Sequence, residues 1–484
     1  MEMQGRVHDD DSIINQPEIV IPDEEEDRIT QLPNEILHQI LSLIPSKTAT
    51  TTSILSNRWM DLWKSSWAYT TTLNFGWEFT TTIKTLSLVS CAIDQILQLH
   101  KIDTIDIFRL YFHPRGEFLV HIQQWIEFAV GKGVRELDLD FEQCYDPLIL
   151  AIHRRHKTFD FSAYELPPCL FSCDSLTILK LANCKFKLPL GFRGFSSLKT
   201  LYLSNVRITH DTLDGMLLNC PMLEDLALMD LRHSMTMEFS ATDLKIKSLT
   251  LAGCPDVSDL GSLFSKLAHL QILAICYFKI QDFSELGNEN APGNLIDLQL
   301  EVGDNYGLPG TYALFTNWNF PYLKKLTIEW IPHRFQMSDE MVQPSGCVFC
   351  CLKTIMINGF LGREKQMQMV KFLLQKAVVL ETMVLVIPKE AINRSLRNDS
   401  ISQAKPIMTV TDLMVLPKEF LLLGNDSISQ AKSSVAVLRL LHEQLLLLPK
   451  VSTNAQFVLK EHTKDDDSIL ATHHRYWHSP PTWL

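Results

Sequence analysis

The chain has 484 residues, of which 46% are hydrophobic and 21% are charged, as expected for a globular protein with a large core. Its formal net charge of −12 argues against general binding to nucleic acid, which requires clustered lysine and arginine side chains. No stretch reaches the roughly 20 apolar residues of a membrane helix, and the 11 cysteines follow no regular disulfide framework. We therefore expect a protein with free thiols inside the cell, in the nucleus, the cytoplasm or both.

Residues 1–26 are rich in aspartate and glutamate and lack the basic start and apolar core of a signal peptide. We interpret them as an acidic, disordered lead, and we expect the polar residues 461–484 to be disordered as well.

Short helices are predicted in residues 27–75. Pro33 suits the first position of a helix, apolar residues then recur at helical spacing, and Pro45 ends the helix. Trp59, Leu62 and Trp63 share a face of a later helix. So few residues make only a small core, and their apolar surface is expected to pack against a partner. The expected contact residues are Leu32, Pro33, Ile36, Leu37, Ile40, Leu41, Ile44, Pro45, Ile54, Leu55, Trp59, Leu62 and Trp63.

A six-residue pattern, apolar–x–x–apolar–x–apolar, repeats along residues 95–340 and beyond. Clear copies begin at Leu176, Leu198, Leu223, Ile246, Leu270, Leu295, Leu323, Leu352 and Leu380. Successive starts are separated by 22 residues (198 − 176) to 29 residues (352 − 323). This is the period of leucine-rich repeats, with one strand in each repeat. The pattern predicts an α/β fold, in which the small helical region precedes a leucine-rich-repeat solenoid with parallel β-strands on its concave face.

The strand residues that alternate with this ladder of apolar side chains are expected to point outward from the concave face, because successive side chains of a strand lie on opposite sides. We interpret this set as candidate contacts for a target protein, with Tyr202 as the best anchor because tyrosine combines a large ring with a polar tip. The set consists of Lys180, Tyr202, Asp225, Thr250, Gln299 and Thr327.

Residues 27–63 resemble a plant F-box. Three blocks, residues 32–37, 41–47 and 52–63, match it in order and spacing. Asn57 stands where the family usually has lysine, and a run of threonines at positions 50–52 replaces more apolar helix residues. The resemblance implies that this region binds a Skp-type adaptor and, through it, a cullin.

Residues 351–362 and 369–381 resemble the FBD module that follows the F-box and leucine-rich repeats in a large plant family, and residues 445–452 resemble its end. An insertion with a near-identical duplication, residues 398–405 and 425–432, lies within the module, which we place at 345–460. The family resemblance implies the substrate-recognition subunit of a Skp–cullin–F-box (SCF) ubiquitin ligase. Such a subunit is not itself an enzyme and has no cofactor.

The same residues give little support to catalysis or to metal binding. The chain has no Gly-x-Ser-x-Gly elbow and no glycine-rich phosphate loop, which disfavours catalysis. Cys347, Cys350 and Cys351 lack the second cysteine pair that a structural zinc site needs nearby, so we interpret them as thiols and predict no metal site. Two alternatives remain open. One is a leucine-rich-repeat binding protein whose first helices only cap the solenoid. The other is a sensor in which a small molecule shares the concave face; a basic pocket would favour it, and Lys180 alone does not make one.

Overall fold

The protein is described from a computed structural model. The structure describes residues 29, 31–43, 56–82, 85–141, 164–231, 240, 244–253, 260–276, 292–303, 307–331, 347–388, 443 and 445–461. The predicted contact residues Ile44, Pro45, Ile54 and Leu55 lie outside this range, as do the acidic lead and the duplication. The chain divides into two compact units, Met1–Ser66 and Trp67–Leu484.

The first unit is built on two described helices, α1 (Asn34–Leu43) and α2 (Asn57–Tyr69), the second of which continues into the next unit. Leu37 and Leu41 of α1 pack with Trp59 and Leu62 of α2 in a small apolar core. The Arg58 guanidinium joins the two helices at their starts, because Nη2 donates to the carbonyl oxygen of Leu32 at 2.6 Å and to Asn34 Oδ1 at 2.8 Å. This small core determines which apolar residues of the two helices are buried and which remain at the surface.

The second unit contains a parallel sheet of thirteen described strands, and these follow one another in chain order. The strands of this sheet are β1 (Thr72–Phe75), β2 (Ile107–Tyr111), β3 (Glu136–Asp140), β5 (Ile178–Ala182), β7 (Thr200–Ser204), β8 (Asp225–Met229), β9 (Ser248–Ala252), β10 (Ile272–Cys276), β11 (Asp297–Gly303), β12 (Lys325–Ile331), β13 (Thr354–Asn358), β14 (Thr382–Ile387) and β15 (Gln456–Glu461). Two short strands, β4 (Tyr164–Glu165) and β6 (Cys184–Lys185), pair separately.

Helices connect several of these strands. Their bounds are α3 (Trp77–Thr82), α4 (Leu86–Leu99), α5 (Leu119–Gly131), α6 (His210–Asn219), α7 (Leu260–Ser265), α8 (Gly307–Asn317) and α9 (Glu364–Lys376). Two 3-10 helices cover Gly116–Phe118 and Pro168–Ser172. Strand, crossover and parallel strand alternate as leucine-rich repeats require, so the predicted fold class is confirmed.

The predicted ladder of apolar side chains forms the core. Leu201 and Leu203 of β7 lie in register with Leu226 and Leu228 of β8, and all four are at most 1% exposed. Burying a leucine side chain fully contributes about 1.5–3 kcal/mol, so the repeated pair is the main source of cohesion between repeats. Because the ladder is continuous, each repeat is stabilised chiefly by its neighbours.

Asparagines end two of the strands in the left-handed conformation. Asn183 has φ 58° and Asn205 has φ 51°, a region that asparagine tolerates better than most residues. The backbone N–H of Asn183 donates to Ser204 and that of Asn205 to Met229, at 3.0 and 2.8 Å. Asn205 Nδ2 also donates to Asn183 Oδ1 at 2.6 Å. These bonds tie each turn to the next repeat, which accounts for the asparagine that follows the pattern in the sequence.

The strands extend beyond the predicted limits of the repeats at both ends. Strand β1 pairs with β2, although residues 72–75 fell within the predicted F-box range. Strands β13, β14 and β15, which fall within the predicted C-terminal module, continue the same sheet. The C-terminal module therefore adds repeats to the sheet, because its strands carry the same inward pair of apolar residues.

Candidate functional site

The first unit exposes apolar side chains beside its core. Ile36 is 41% exposed and Met60 is 37% exposed, while Leu32, Ile40 and Trp63 are partly buried against the core. Pro33 is exposed. In contrast, the predicted contact residues Leu37, Leu41, Trp59 and Leu62 are internal.

The remaining contact candidates of this unit are therefore those on its surface. Met60 was missed by the sequence interpretation. It lies three positions before Trp63 on α2, and that spacing places the two residues on neighbouring parts of one helix face. The signal needed to find it was thus present in the sequence.

The sheet carries a second set of side chains, which alternate with the apolar ladder; we call this side the second face. Four candidates on it, predicted to point outward, are buried: Tyr202, Thr250, Gln299 and Thr327 are 2–5% exposed. The expectation of an open face was wrong for these four. Parallel sheets are commonly covered on both faces, and neighbouring strands lie only about 4.8 Å apart, so side chains in one row pack against each other.

The centre of the second face is apolar. Tyr202 packs in a cluster with Met229 and Ala252, and the partly buried Ala227 lies against it. Burial raises the pKa of the Tyr202 hydroxyl, so this group stays protonated. Its ring is therefore part of the packing of the sheet, and the anchor role predicted for Tyr202 is not available to a partner in this conformation.

A charged network occupies the second face at β2, β3 and β5. Glu136 Oε1 accepts from Arg109 Nη2 and from Lys180 Nζ, each at 3.0 Å, and Arg109 Nε lies 3.9 Å from Asp138 Oδ2. Burial opposes the charged form of Glu136, but the hydrogen bonds and charges of Lys180 and then Arg109 outweigh it and hold the pKa of this carboxyl below its usual value. Lys180, with 15% of its side chain exposed, is thus committed to the chain's own acid.

Asp225 differs from the other candidates because it is exposed at the start of β8. Its carboxylate accepts a hydrogen bond from the hydroxyl of Thr200 at 3.3 Å. Partial desolvation is the largest influence on this group and raises the pKa of Asp225. Among the six predicted target contacts it is the most accessible.

Oxygen atoms without hydrogen-bond partners collect on the second face at β11, β12 and β13. Glu301, Glu329 and Asn358 are in register in one row, and Thr327 lies in the row before. The side chain of Asn358 bonds to Glu329, yet burial still raises the pKa of Glu329 to about 7. Within the described residues, Thr327 Oγ1, Glu329 Oε2 and Asn358 Oδ1 are hidden from solvent and have no hydrogen-bond partner. The sequence interpretation chose Thr327 but missed Glu329 and Asn358.

The cysteines at 347, 350 and 351 are free thiols. Burial raises the pKa of Cys347 to about 11, so that thiol is protonated at neutral pH. Across the parts of the chain that the structure describes, no three histidine, cysteine or acidic side chains are placed to share a metal ion. The described helices also include none with the length and apolar character to cross a membrane.

Comparison with known proteins gives three family matches in chain order. The F-box domain model matches residues 29–71. The model described as FBD-associated F-box protein At5g56370, LRR repeats, matches residues 122–260, and the FBD model matches residues 343–385. All three fall where the corresponding motifs were found in the sequence.

Curated relatives come from Arabidopsis thaliana. The chain is 36% identical to F-box protein At4g09920 over 207 residues, which is 43% of this chain and 59% of the relative. It is 29% identical to F-box/FBD/LRR-repeat protein At5g56420 over 230 residues, 46% of this chain and 49% of the relative. It is also 29% identical to FBD-associated F-box protein At5g60610 over 350 residues, 69% of this chain and 76% of the relative.

For the first relatives, the alignment spans about half of their length. The family models place the F-box, the leucine-rich repeats and the FBD in this order along the chain, and the printed name of the relative At5g56420 contains the same three terms. The chain combines an F-box, leucine-rich repeats and an FBD module, and it is similar to F-box/FBD/LRR-repeat proteins of Arabidopsis thaliana.

Proposed function

We propose that this chain is the substrate-recognition subunit of an SCF-type ubiquitin ligase. The observation that carries the proposal is the F-box, which matches its family model and presents Ile36 and Met60 to solvent beside a very small core. Exposed apolar side chains on so small a unit favour burial against a partner. The partner proposed is a Skp-type adaptor, which binds a cullin.

The surface offered to the adaptor is the apolar set around Ile36. Leu32, Ile40 and Trp63 are half-buried, so a partner can complete their burial without opening the core that they cover. Aromatic and large aliphatic anchors of this kind carry much of the energy of protein interfaces. The internal residues Leu37, Leu41, Trp59 and Leu62 support the same contact indirectly, because they hold the two helices together.

Target binding is assigned to the repeats and the FBD strands that continue them. The chain would perform no chemistry itself; it would raise the effective concentration of the target near the ubiquitin-charged enzyme. Asp225 is the accessible member of the predicted target set, and Lys180 is partly accessible within its ion network. Tyr202, Thr250 and Gln299 are buried and shape this surface from within.

The test is affinity purification of the tagged chain from plant cells with the proteasome inhibited, followed by mass spectrometry. We expect the adaptor and a cullin to co-purify with the wild-type chain. Ile36→Lys should abolish both, because it places a charge in the contact, and Leu32→Ala with Pro33→Ala should weaken both. The matched control is Leu190→Lys, which makes the same kind of change at a fully exposed leucine outside the F-box.

An Ile36→Lys variant that keeps its helical circular dichroism and still retains adaptor and cullin would show that the F-box contact is assigned wrongly. Capture of other proteins by the wild-type chain without adaptor or cullin would instead favour a repeat protein that works outside a ligase.

A further inference from the structure

The second face carries a group of acceptor atoms at β11 to β13 that lacks a donor. Glu329 Oε2, Asn358 Oδ1 and Thr327 Oγ1 lie on two adjacent strands, in register or one row apart. Thr327 is 2% exposed and Asn358 is 5% exposed, and their free oxygens are hidden from bulk solvent. A buried acceptor left without a donor costs about 1–3 kcal/mol, and such groups in native proteins call for an explanation.

Within the part of the chain that the structure describes, buried carboxylate and amide oxygens without a hydrogen-bond partner occur in one region. The carboxylate and amide oxygens there that are buried and lack a partner belong to Asp297, Glu329 and Asn358, and all three residues are on the second face of β11 to β13. One of the two carboxylate oxygens of Asp297 has a partner, since Oδ2 lies 3.1 Å from Lys325 Nζ. Glu301 and Glu329 are only partly buried, so part of each side chain reaches the surface beside the hidden oxygens.

The chain's own charged network shows what is missing. At the other end of the same face, Glu136 is held by Arg109 on β2 and Lys180 on β5, the strands on either side of it. The corresponding neighbours of Glu329 are Glu301 on β11 and Asn358 on β13. Neither neighbour is a cation, so the position that Arg109 and Lys180 fill at one end has no basic residue in register at the other.

We propose that this acceptor group, Thr327, Glu329 and Asn358, is a binding site for a basic side chain of the target protein, arginine or lysine. The site combines acceptor oxygens with the acidic neighbour Glu301, and neither strand adjacent to Glu329 places a cation in register with it. A guanidinium or ammonium group supplies only donors and a positive charge, which matches it. The inference rests on the proposed function, because it names the chemistry of the target that the repeats would hold.

The experiment uses the full chain purified with its adaptor and short degenerate peptides whose central residue is fixed as arginine, lysine, citrulline or glutamate. Citrulline keeps the shape of arginine but has no charge. Binding is measured by fluorescence anisotropy. We expect arginine- and lysine-centred peptides to bind about tenfold more tightly than citrulline- or glutamate-centred ones, a difference of about 1.4 kcal/mol.

Two variants test the site and one is its control. Glu329→Gln should remove the preference for a basic centre, and Thr327→Val, which keeps the side-chain shape, should reduce it severalfold. Glu381→Gln removes a carboxylate that pairs with Lys353 at 2.7 Å and is 58% exposed, so the preference should remain. If Glu329→Gln does not fold, the peptide preference of Thr327→Val still tests whether the site binds the basic side chain.

Equal binding of arginine- and citrulline-centred peptides to the wild-type chain would overturn the inference. So would a preference that survives in both Glu329→Gln and Thr327→Val. A lower melting temperature in Glu329→Gln, without any peptide preference in the wild type, would show that a basic residue of this same chain fills the site. Because each preparation is also checked for co-purified adaptor, loss of adaptor binding in the wild type counts against the proposed function and not against this site.

Discussion

Two regions of the second face, the paired end around Glu136 and the unpaired end around Glu329, hold glutamates in opposite electrostatic states. Glu136 on β3 is charged and paired, and the pKa of its carboxyl is lowered. Glu329 on β12 is surrounded by Glu301 and Asn358, and burial raises its pKa to about 7. Both glutamates alternate with buried apolar ladder residues, so strand position does not account for the difference.

The difference comes from the neighbouring strands. In a parallel sheet each second-face side chain meets residues one repeat before and one repeat after it, and a charge there is stabilised only if those residues supply the opposite charge. At the paired end, the charges of the chain therefore stabilise one another without a ligand. The unpaired end keeps a free-energy cost that a ligand can relieve.

The largest expected effect comes from breaking the ladder that supports both ends. Leu226→Asp together with Leu228→Asp places two charges where the wild-type side chains are at most 1% exposed. Each unpaired buried charge costs several kcal/mol, so we expect aggregation or rapid proteolysis, measured by limited trypsin digestion. The same change at the exposed Leu190 should have little effect. Unchanged melting of the double variant would contradict the observed register.

A smaller effect is expected from neutralising the unpaired end. The pKa of Glu329 is raised from 4.5 to about 7, so the folded state binds the proton more tightly than the unfolded state. Stability is therefore lost as pH rises from about 4.5 to about 7, by an amount on the order of 3 kcal/mol. Glu329→Gln should remove this loss and raise the melting temperature most at pH 8, measured by differential scanning fluorimetry from pH 5 to 8.

The comparison for that variant is Glu381→Gln, whose carboxylate is exposed. It should leave the slope of melting temperature against pH as in the wild type. If Glu329→Gln has the wild-type slope as well, Glu329 is charged and partnered in the folded protein, and the contrast with Glu136 disappears.

The smallest effect is expected from opening the paired end. Lys180→Met removes one of the two cations on Glu136 and leaves Arg109 in place. We expect a loss of about 1–2 kcal/mol in unfolding free energy, because the pair is mostly buried but the acid keeps one partner. The control Lys185→Met breaks the exposed pair with Glu165 at 3.3 Å and should cost well under 1 kcal/mol. Both free energies of unfolding are measured with urea. Equal losses in the two variants would mean that the buried network stabilises the fold no more than an exposed ion pair does.

The sequence alone determined the features that depend on local pattern. Alternation within five residues predicted which side chains form the ladder, and the repeat length predicted parallel strands; both follow from the geometry of a single strand. The asparagines that follow the pattern at positions 183 and 205 suit the strand ends, because asparagine accepts a positive φ better than most residues. The F-box motif was likewise readable as three ordered blocks.

Only the tertiary structure decided what depends on neighbours distant in sequence. Helical spacing placed Ile36 and Leu37 on one apolar face, but packing against α2 buries Leu37 and leaves Ile36 exposed. Tyr202 alternates with the ladder, but it is enclosed with Met229 and Ala252 from the next two strands. Register places cations on both sides of Glu136, whereas it places Glu301 and Asn358 beside Glu329. A pattern within one repeat contains no information about the residue that lies beside it in the next repeat.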